Sequence, residues 1–464
     1  MKQSRIFWIG ISFYILHLVG LLWTTDFNYG FHDLRAKLPI LVIPFVLGSI
    51  PAITKFEFKL ISYAFISAVV TTSILNVMIA KGILQIGFEI NNYRDYSFFI
   101  SHIRFSLMID FAFFLLIYFM VKDKKKIPYF IPILFWLIYY TYFSQIITGF
   151  IYLIILVFVS GLFYAIKSKN RTLKVSVFSF SLALVAVGFT WIVVNIKEFY
   201  SIPEEHIEIH EEFTLNGRPY THNLSNQLRE NGKLIFYRIC DVELEKEWVK
   251  RTEIDIDSTL PGRTVPIRYT LIRYMTGLGF AKDSAGIHEL SDQDIHNILL
   301  GYTSPLQAKG GIKARIFELL YDFEEWKLDP NPNNKTLFQR LSYWEAGWNI
   351  FKTNFIFGVG TGDIQQSFNR YYEKSNSQLL LENRHRSHNQ FLSIGVSFGI
   401  IGLFVFILFL FYPLFRKSQS IEYLHVIFLV LMCLSFLPED TLETQSGISF
   451  FSLFYGLFVF RKRY

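Results

Sequence analysis

Apolar residues gather into about ten runs, near 6–24, 38–53, 60–80, 104–121, 128–147, 149–166, 175–195, 389–412, 421–437 and 447–460. Each approaches the roughly 20 residues a helix needs to cross hydrocarbon. The run at 38–53 is the weakest, because Pro39, Pro44 and Pro51 interrupt it and predict a kinked or partly re-entrant segment. The stretch Ile6 to Thr24 follows Lys2 and Arg5, as a signal peptide would. No small-residue cleavage site follows it, so it reads as the first span.

A polar stretch from about 196 to 388 separates the seventh and eighth runs and reads as a mixed α/β insert. His206, Glu208 and His210 alternate with Ile207 and Ile209, a strand period. Asn216-Gly217 and Asn231-Gly232 signal turns, Leu234 to Cys240 a second strand, and Ile254 with Ile256 a third. Helices are predicted from Glu243 onward, after Ser291 and Asp294, over Ile316 to Trp326, and over Leu337 to Phe351. The fold expected is an all-α polytopic membrane protein of about ten transmembrane helices with a large periplasmic α/β insert before the eighth. Its parts are transmembrane helices over 1–195, the insert over 196–335, an interfacial helix and loop over 336–388, and the last three spans over 389–464.

Composition strengthens this picture. The 464 residues are 52% hydrophobic and 18% aromatic, with 50 Phe, well above soluble usage. Two cysteines, Cys240 in the insert and Cys433 in an apolar run, exclude a disulfide framework. The net charge of +7 would suit nucleic acid, but its placement suits a membrane. Basic clusters recur in alternate connections: Lys55 and Lys59; Lys122 to Lys126; Lys167 to Lys174; Arg416 and Lys417; Arg461 to Arg463. The positive-inside rule then puts both termini in the cytoplasm and the polar stretch in the periplasm.

Candidate chemistry lies between Arg340 and Leu403. Leu337, Leu341, Trp344, Trp348 and Phe351 follow helical spacing, with tryptophans suited to a membrane–water boundary. A glycine loop, Gly358-Val359-Gly360-Thr361-Gly362-Asp363, comes next. Then Arg384, His385, Arg386, Ser387, His388 and Asn389 run straight into the eighth span. A helix N-terminus attracts phosphate, arginines add planar donors, and a histidine adds a group that exchanges protons near neutral pH. At the start of the fourth span, His102 and Arg104 are either site residues or snorkelling anchors.

The set Arg340-x-x-x-Trp344, the glycine loop, His388-Asn389-Gln390-Phe391-Leu392 and Gly399-Ile400-Ile401-Gly402-Leu403 resembles the O-antigen ligase/polymerase superfamily. Ser101 to Ser106, Pro438 to Gln445, Asn216-Gly217-x-x-Tyr220 and Thr270 to Tyr274 resemble the branch found in Bacteroidota. The resemblance implies an inverting glycosyltransferase of the bacterial inner membrane, acting on the periplasmic side without cofactor or metal. Its donor would be a glycan on undecaprenyl diphosphate, and its acceptor a hydroxyl of lipid A core, a protein or another glycan. The catalytic histidine of the family maps onto His388, and the diphosphate arginines onto Arg340 and one of Arg384 or Arg386. Arg104 is a further diphosphate candidate, with His102, Asn389, Asp363 and Glu439 as possible support. The insert reads as an acceptor platform.

Simpler readings stand beside these. His388 could cap its helix, Arg384 and Arg386 could anchor lipid headgroups, and Glu439, Asp440 and Glu443 could form a solvated loop. Gly358-x-Gly360-x-Gly362 is not a dinucleotide loop, since no strand precedes it. Asp255-Ile256-Asp257 reads as strand rather than a metal pair, and His206 with His210 lacks a third zinc ligand. A lipid-linked glycan transporter and a non-catalytic scaffold are the alternatives of another class. A transporter should carry its charges near midplane, whereas these crowd one boundary.

Overall fold

A computed structural model of the chain describes residues 2–85, 87, 93–201, 211–260, 265–415 and 422–460. The expected strand at 206–210, its histidines, and the basic residues at 416–417 and 461–463 lie outside the described residues. Two compact units form, one from residues 1–186 with 331–464 and one from 187–330.

The apolar runs of the first unit are helices: α1 (Lys2–Val19), α2 (Phe27–Ala36), α3 (Leu38–Ser49), α4 (Lys55–Ala80), α5 (His102–Lys122), α6 (Ile127–Phe143), α7 (Ile147–Lys167) and α8 (Arg171–Ser201). The boundary between units falls inside α8. Among the described residues, α4, α5, α7, α8 and Gln390–Phe415 are long and apolar enough to cross a membrane. Phe7–Trp23, Leu38–Ser49, Tyr423–Phe436 and Gln445–Phe460 are shorter apolar helices. Thr54 and Glu57 cap α4 reciprocally, which satisfies two of its free N-terminal amides.

Lipid offers no hydrophobic drive between helices, so shape and ring contacts hold this unit together. Phe111 packs edge-on against Phe454 at 4.6 Å, and Phe409 lies against Tyr455 at the same distance. That packing gives the abundant phenylalanine its physical role.

In the second unit, β1 (Arg229–Glu230) and β2 (Lys233–Leu234) form a hairpin with Arg229 opposite Leu234. Asn231 (φ 51°) and Gly232 (φ 79°) make its two-residue turn, as the sequence predicts. Helices α9 (Asp241–Thr252), α10 (Ile267–Leu278), α11 (Ser284–Glu289), α12 (Asp292–Leu299), α13 (Pro305–Lys309) and α14 (Gly311–Leu328) follow. Ser291 and Asp294 form the expected capping box of α12.

Two strand expectations fail here. Among the described residues, the run beyond Leu234 to Cys240 pairs through isolated bridges, Ile239 with Thr221 and with Lys282, and not through a ladder. Residues 254–257 form a bend and turn, because the Asp255 carboxylate accepts from the amide of Asp257 and competes with any ladder. Ile256 points into the core beside Trp248 regardless, so burial without pairing produced the alternation.

The first unit resumes with α15 (Thr336–Thr353), α16 (Ile364–Lys374), α17 (Gln390–Phe411), α18 (Tyr423–Phe436) and α19 (Gln445–Phe460). Helix α17 breaks at Gly399, whose φ of 64° and ψ of −159° are not helical. Its break frees the carbonyls of Val396 and Ser397, which accept from Val359 and Gly360 of the glycine loop at 2.9 Å each. The amide of Ile400 donates in turn to the Phe355 carbonyl at 2.8 Å. A Cβ on Gly358 would sit 2.3 Å from the Phe398 nitrogen, and one on Gly399 2.2 Å from the Ile356 oxygen. Backbone contact this close requires glycine on both sides.

Candidate active site

The loop 437–444 lies across the N-terminus of α17, and its carboxylates gather the basic side chains. Glu439 is 4% exposed and accepts from Arg340 of α15 at 2.8 Å and from Arg104 of α5 at 3.2 Å. Nδ1 of His388 stands 3.6 Å from the same Glu439 oxygen that meets Arg104. Burial raises the Glu439 pKa, but His388, Arg104 and Arg340 outweigh it and hold the carboxyl below its usual range. One buried carboxylate therefore ties together three side chains distant in sequence.

His388 is held by its neighbours rather than by its own helix. Asn389 caps α17, its side chain accepting from the Leu392 amide at 3.0 Å. The other end of the Asn389 side chain donates to the Leu437 carbonyl at 2.9 Å. His388, one residue earlier, takes a left-handed φ of 46°, which costs a non-glycine residue energy and persists only where surroundings enforce it. Its ring lies 5.5 Å from Tyr343 and 5.8 Å from His385. Burial, and then the His388 charge, lower the His385 pKa.

A second group of charges adjoins the first. Lys37, between α2 and α3, contacts Asp33 at 2.5 Å and Glu443 at 2.7 Å. His17 of α1 stands 3.9 Å from Asp33, and Nη1 of Arg386 stands 3.5 Å from Glu443. Gln390 locks the arrangement to α17 by donating to Glu443 at 3.0 Å and accepting from the Leu442 amide at 2.7 Å. Ser393 donates to Asp440 at 2.9 Å, and its hydroxyl pairs with that of Ser387 at 2.7 Å. Burial raises the Asp33 pKa to about 6, the Lys37 charge only partly offsetting it. Burial likewise raises Asp440 against Arg386. Glu443 goes the other way, because Lys37 and Arg386 together overcome its burial and hold it far below the usual range. A small polar cavity beside these residues is lined by His17, Lys37, Thr361, Arg386, Ser393 and Glu443.

The structure brings Arg340, Arg104, His388 and Glu439 together and places Arg386 beside Glu443. Arg384 stays apart, its Nε donating to the Leu379 carbonyl at 3.1 Å. Asp363 is also apart. Its carboxylate accepts from the Thr25 and Asp26 amides at 2.8 Å each and from the Thr25 hydroxyl at 3.0 Å. These bonds pin the glycine loop to the turn between α1 and α2, and with its oxygens so engaged Asp363 acts as a clamp. His102 opens α5 two residues before Arg104. The sequence reading did not select Lys37, Asp33 and His17, although the four-residue spacing of Asp33 and Lys37 on one helical face was a readable signal.

Arginines converging at a helix N-terminus beside a histidine with one ring nitrogen turned to a carboxylate can bind phosphate oxygens and accept a proton. No curated protein matches the chain. Residues 294–407 do match the family model described as O-antigen ligase, a segment that contains Arg340, the glycine loop, Arg386 and His388. The match covers this segment alone and supports a likeness of residues 294–407 to the O-antigen ligase superfamily.

Proposed function

We propose that the chain transfers a glycan from undecaprenyl diphosphate to an acceptor hydroxyl on the periplasmic face of the inner membrane. The observation that carries this reading is the convergence of Arg104, Arg340 and His388 on buried Glu439, with Arg386 alongside. Exposed Leu337, Leu341 and Trp348 on α15 suit a helix lying at the lipid boundary, where a carrier lipid would present its diphosphate.

In this mechanism the acceptor oxygen attacks the anomeric carbon while the bond from that carbon to the diphosphate oxygen breaks, inverting the centre. The bonding electrons leave on the diphosphate, where Arg340, Arg104 and Arg386 stabilise the charge. The acceptor proton goes to Nε2 of His388, because Glu439 beside Nδ1 favours the tautomer that keeps Nε2 free and steadies the imidazolium that forms. Asn389 fixes where the ring sits, and Glu439 fixes how it is turned. The reading calls on no cofactor.

The acceptor decides between ligation to lipid A core, transfer to protein and polymerisation. Purified protein should be given a lipid diphosphate-linked glycan with each acceptor class in turn, and the ligase reading requires lipid A core or protein to receive the glycan. Transfer only onto another glycan would make the chain a polymerase, and no transfer to any acceptor would remove the enzymatic reading. A thiol placed at exposed Glu382 should react with a membrane-impermeant reagent from the periplasmic side only; labelling from the cytoplasm alone would reverse the topology.

A further inference from the structure

Arg386 has unspent donor capacity. Its side chain, 19% exposed, sits among charged groups yet its guanidinium makes no hydrogen bond among the described residues, and its ion pair with Glu443 is long at 3.5 Å. Both Glu443 oxygens are already engaged, one by Lys37 at 2.7 Å and the other by Gln390 at 3.0 Å. Lys37 itself is 1% exposed and is held at its other side by Asp33, so it cannot reach a ligand.

We propose that Lys37 is a positioning residue for Arg386: by holding Glu443, it leaves the guanidinium open to the diphosphate of the donor. This rests on the diphosphate-binding reading of the site. Without the ammonium, Glu443 would face Arg386 as its only charged partner among these contacts. Guanidinium and carboxylate then close into a two-bond fork, the strongest geometry available to them. An incoming diphosphate would have to displace that carboxylate inside a poorly solvated site, where the competition is strong. Asp440 also faces Arg386, but it is engaged by Ser393 and its burial disfavours the charged form. Lys37 therefore controls how much of the cationic donor site is masked by the protein's own anions.

The test is donor kinetics with a synthetic polyprenyl diphosphate disaccharide. Lys37→Met should raise the donor KM by about tenfold or more, with kcat within about threefold of the parent. Lys37→Arg should behave as the parent, and Lys37→Met with Glu443→Gln should bring the donor KM back to within about threefold. A purely structural ion pair would show no such recovery. An unchanged KM in folded Lys37→Met, or a double variant no better than the single one, overturns the proposal. Should Lys37→Met fail to fold, the double variant decides: with no Glu443 charge to mask Arg386 its donor KM should stay within about threefold of the parent, and a rise of about tenfold or more overturns the proposal. Arg386→Gln separates the two levels, since an unchanged donor KM there removes Arg386 from diphosphate binding altogether.

Discussion

Arg340 and Glu439, 99 residues apart in sequence, meet at 2.8 Å, and the same carboxylate turns toward His388 at 3.6 Å. The pair is largely buried, so its parts are unequal in what they tolerate. Removing the carboxylate strands two guanidiniums in a poorly solvated site, while removing its charge alone keeps the shape.

Glu439→Ala should therefore destabilise the protein by about 3–5 kcal/mol, the usual cost of leaving a buried charge unpaired. Glu439→Gln should fold but lose about tenfold or more in kcat, because the imidazole loses both its orienting anion and its stabilised cation. Thermal unfolding in detergent measures the first effect, and steady-state transfer measures the second.

The two neighbouring arginines should separate cleanly. Arg386→Gln should raise the donor KM by about tenfold or more, while Arg384→Gln should stay within about threefold, since Arg384 is spent on a backbone carbonyl. Equal effects would contradict the assignment of Arg386 to the diphosphate.

Asp33 sets a pH dependence. Its carboxyl holds a proton up to about pH 6 in the folded chain, because burial outweighs the Lys37 charge, whereas the ordinary value is 3.8. The folded state binds more protons between those values, so stability is fully present below the ordinary value and falls as pH rises through about 6. Melting curves of the parent and of Asp33→Asn should show the parent losing ground to the variant over this window, and a constant difference would contradict the linkage.

The glycine pair predicts a folding defect rather than a catalytic one. Gly399→Val places a branched side chain at φ 64° and against the Ile356 carbonyl. It should abolish monodisperse protein, while Gly82→Ala, whose Cβ meets nothing within 4 Å, costs only about 1–2 kcal/mol of backbone strain. Fluorescence-detected gel filtration of the two variants reads this difference.

What the chain reveals before its fold is known follows from the range of each signal. The apolar runs and the helices coincide within a few residues, because hydrophobic length is a local property. Arg340, His388 and Glu439 were visible as residue types in suggestive places, but not as partners, since nothing in the 50 positions between His388 and Glu439 encodes their approach. The pairing of the glycine loop with α17 was hidden because backbone bonds around Gly399 carry it. The four-residue spacing of Asp33 and Lys37 is a local signal, but only the return of Glu443 from the far end of the chain supplies the second partner of the Lys37 charge. Residues 254–257 mislead for the opposite reason, as their alternation records burial of Ile256 in a turn.

The most direct measurement is glycan transfer by purified His388→Ala, with lipid diphosphate-linked donor in excess and its melting temperature compared with the parent. The melting temperature should be unchanged and transfer reduced by at least about a hundredfold, the scale of a lost general base. Transfer at the parental rate by a folded His388→Ala protein would contradict that role.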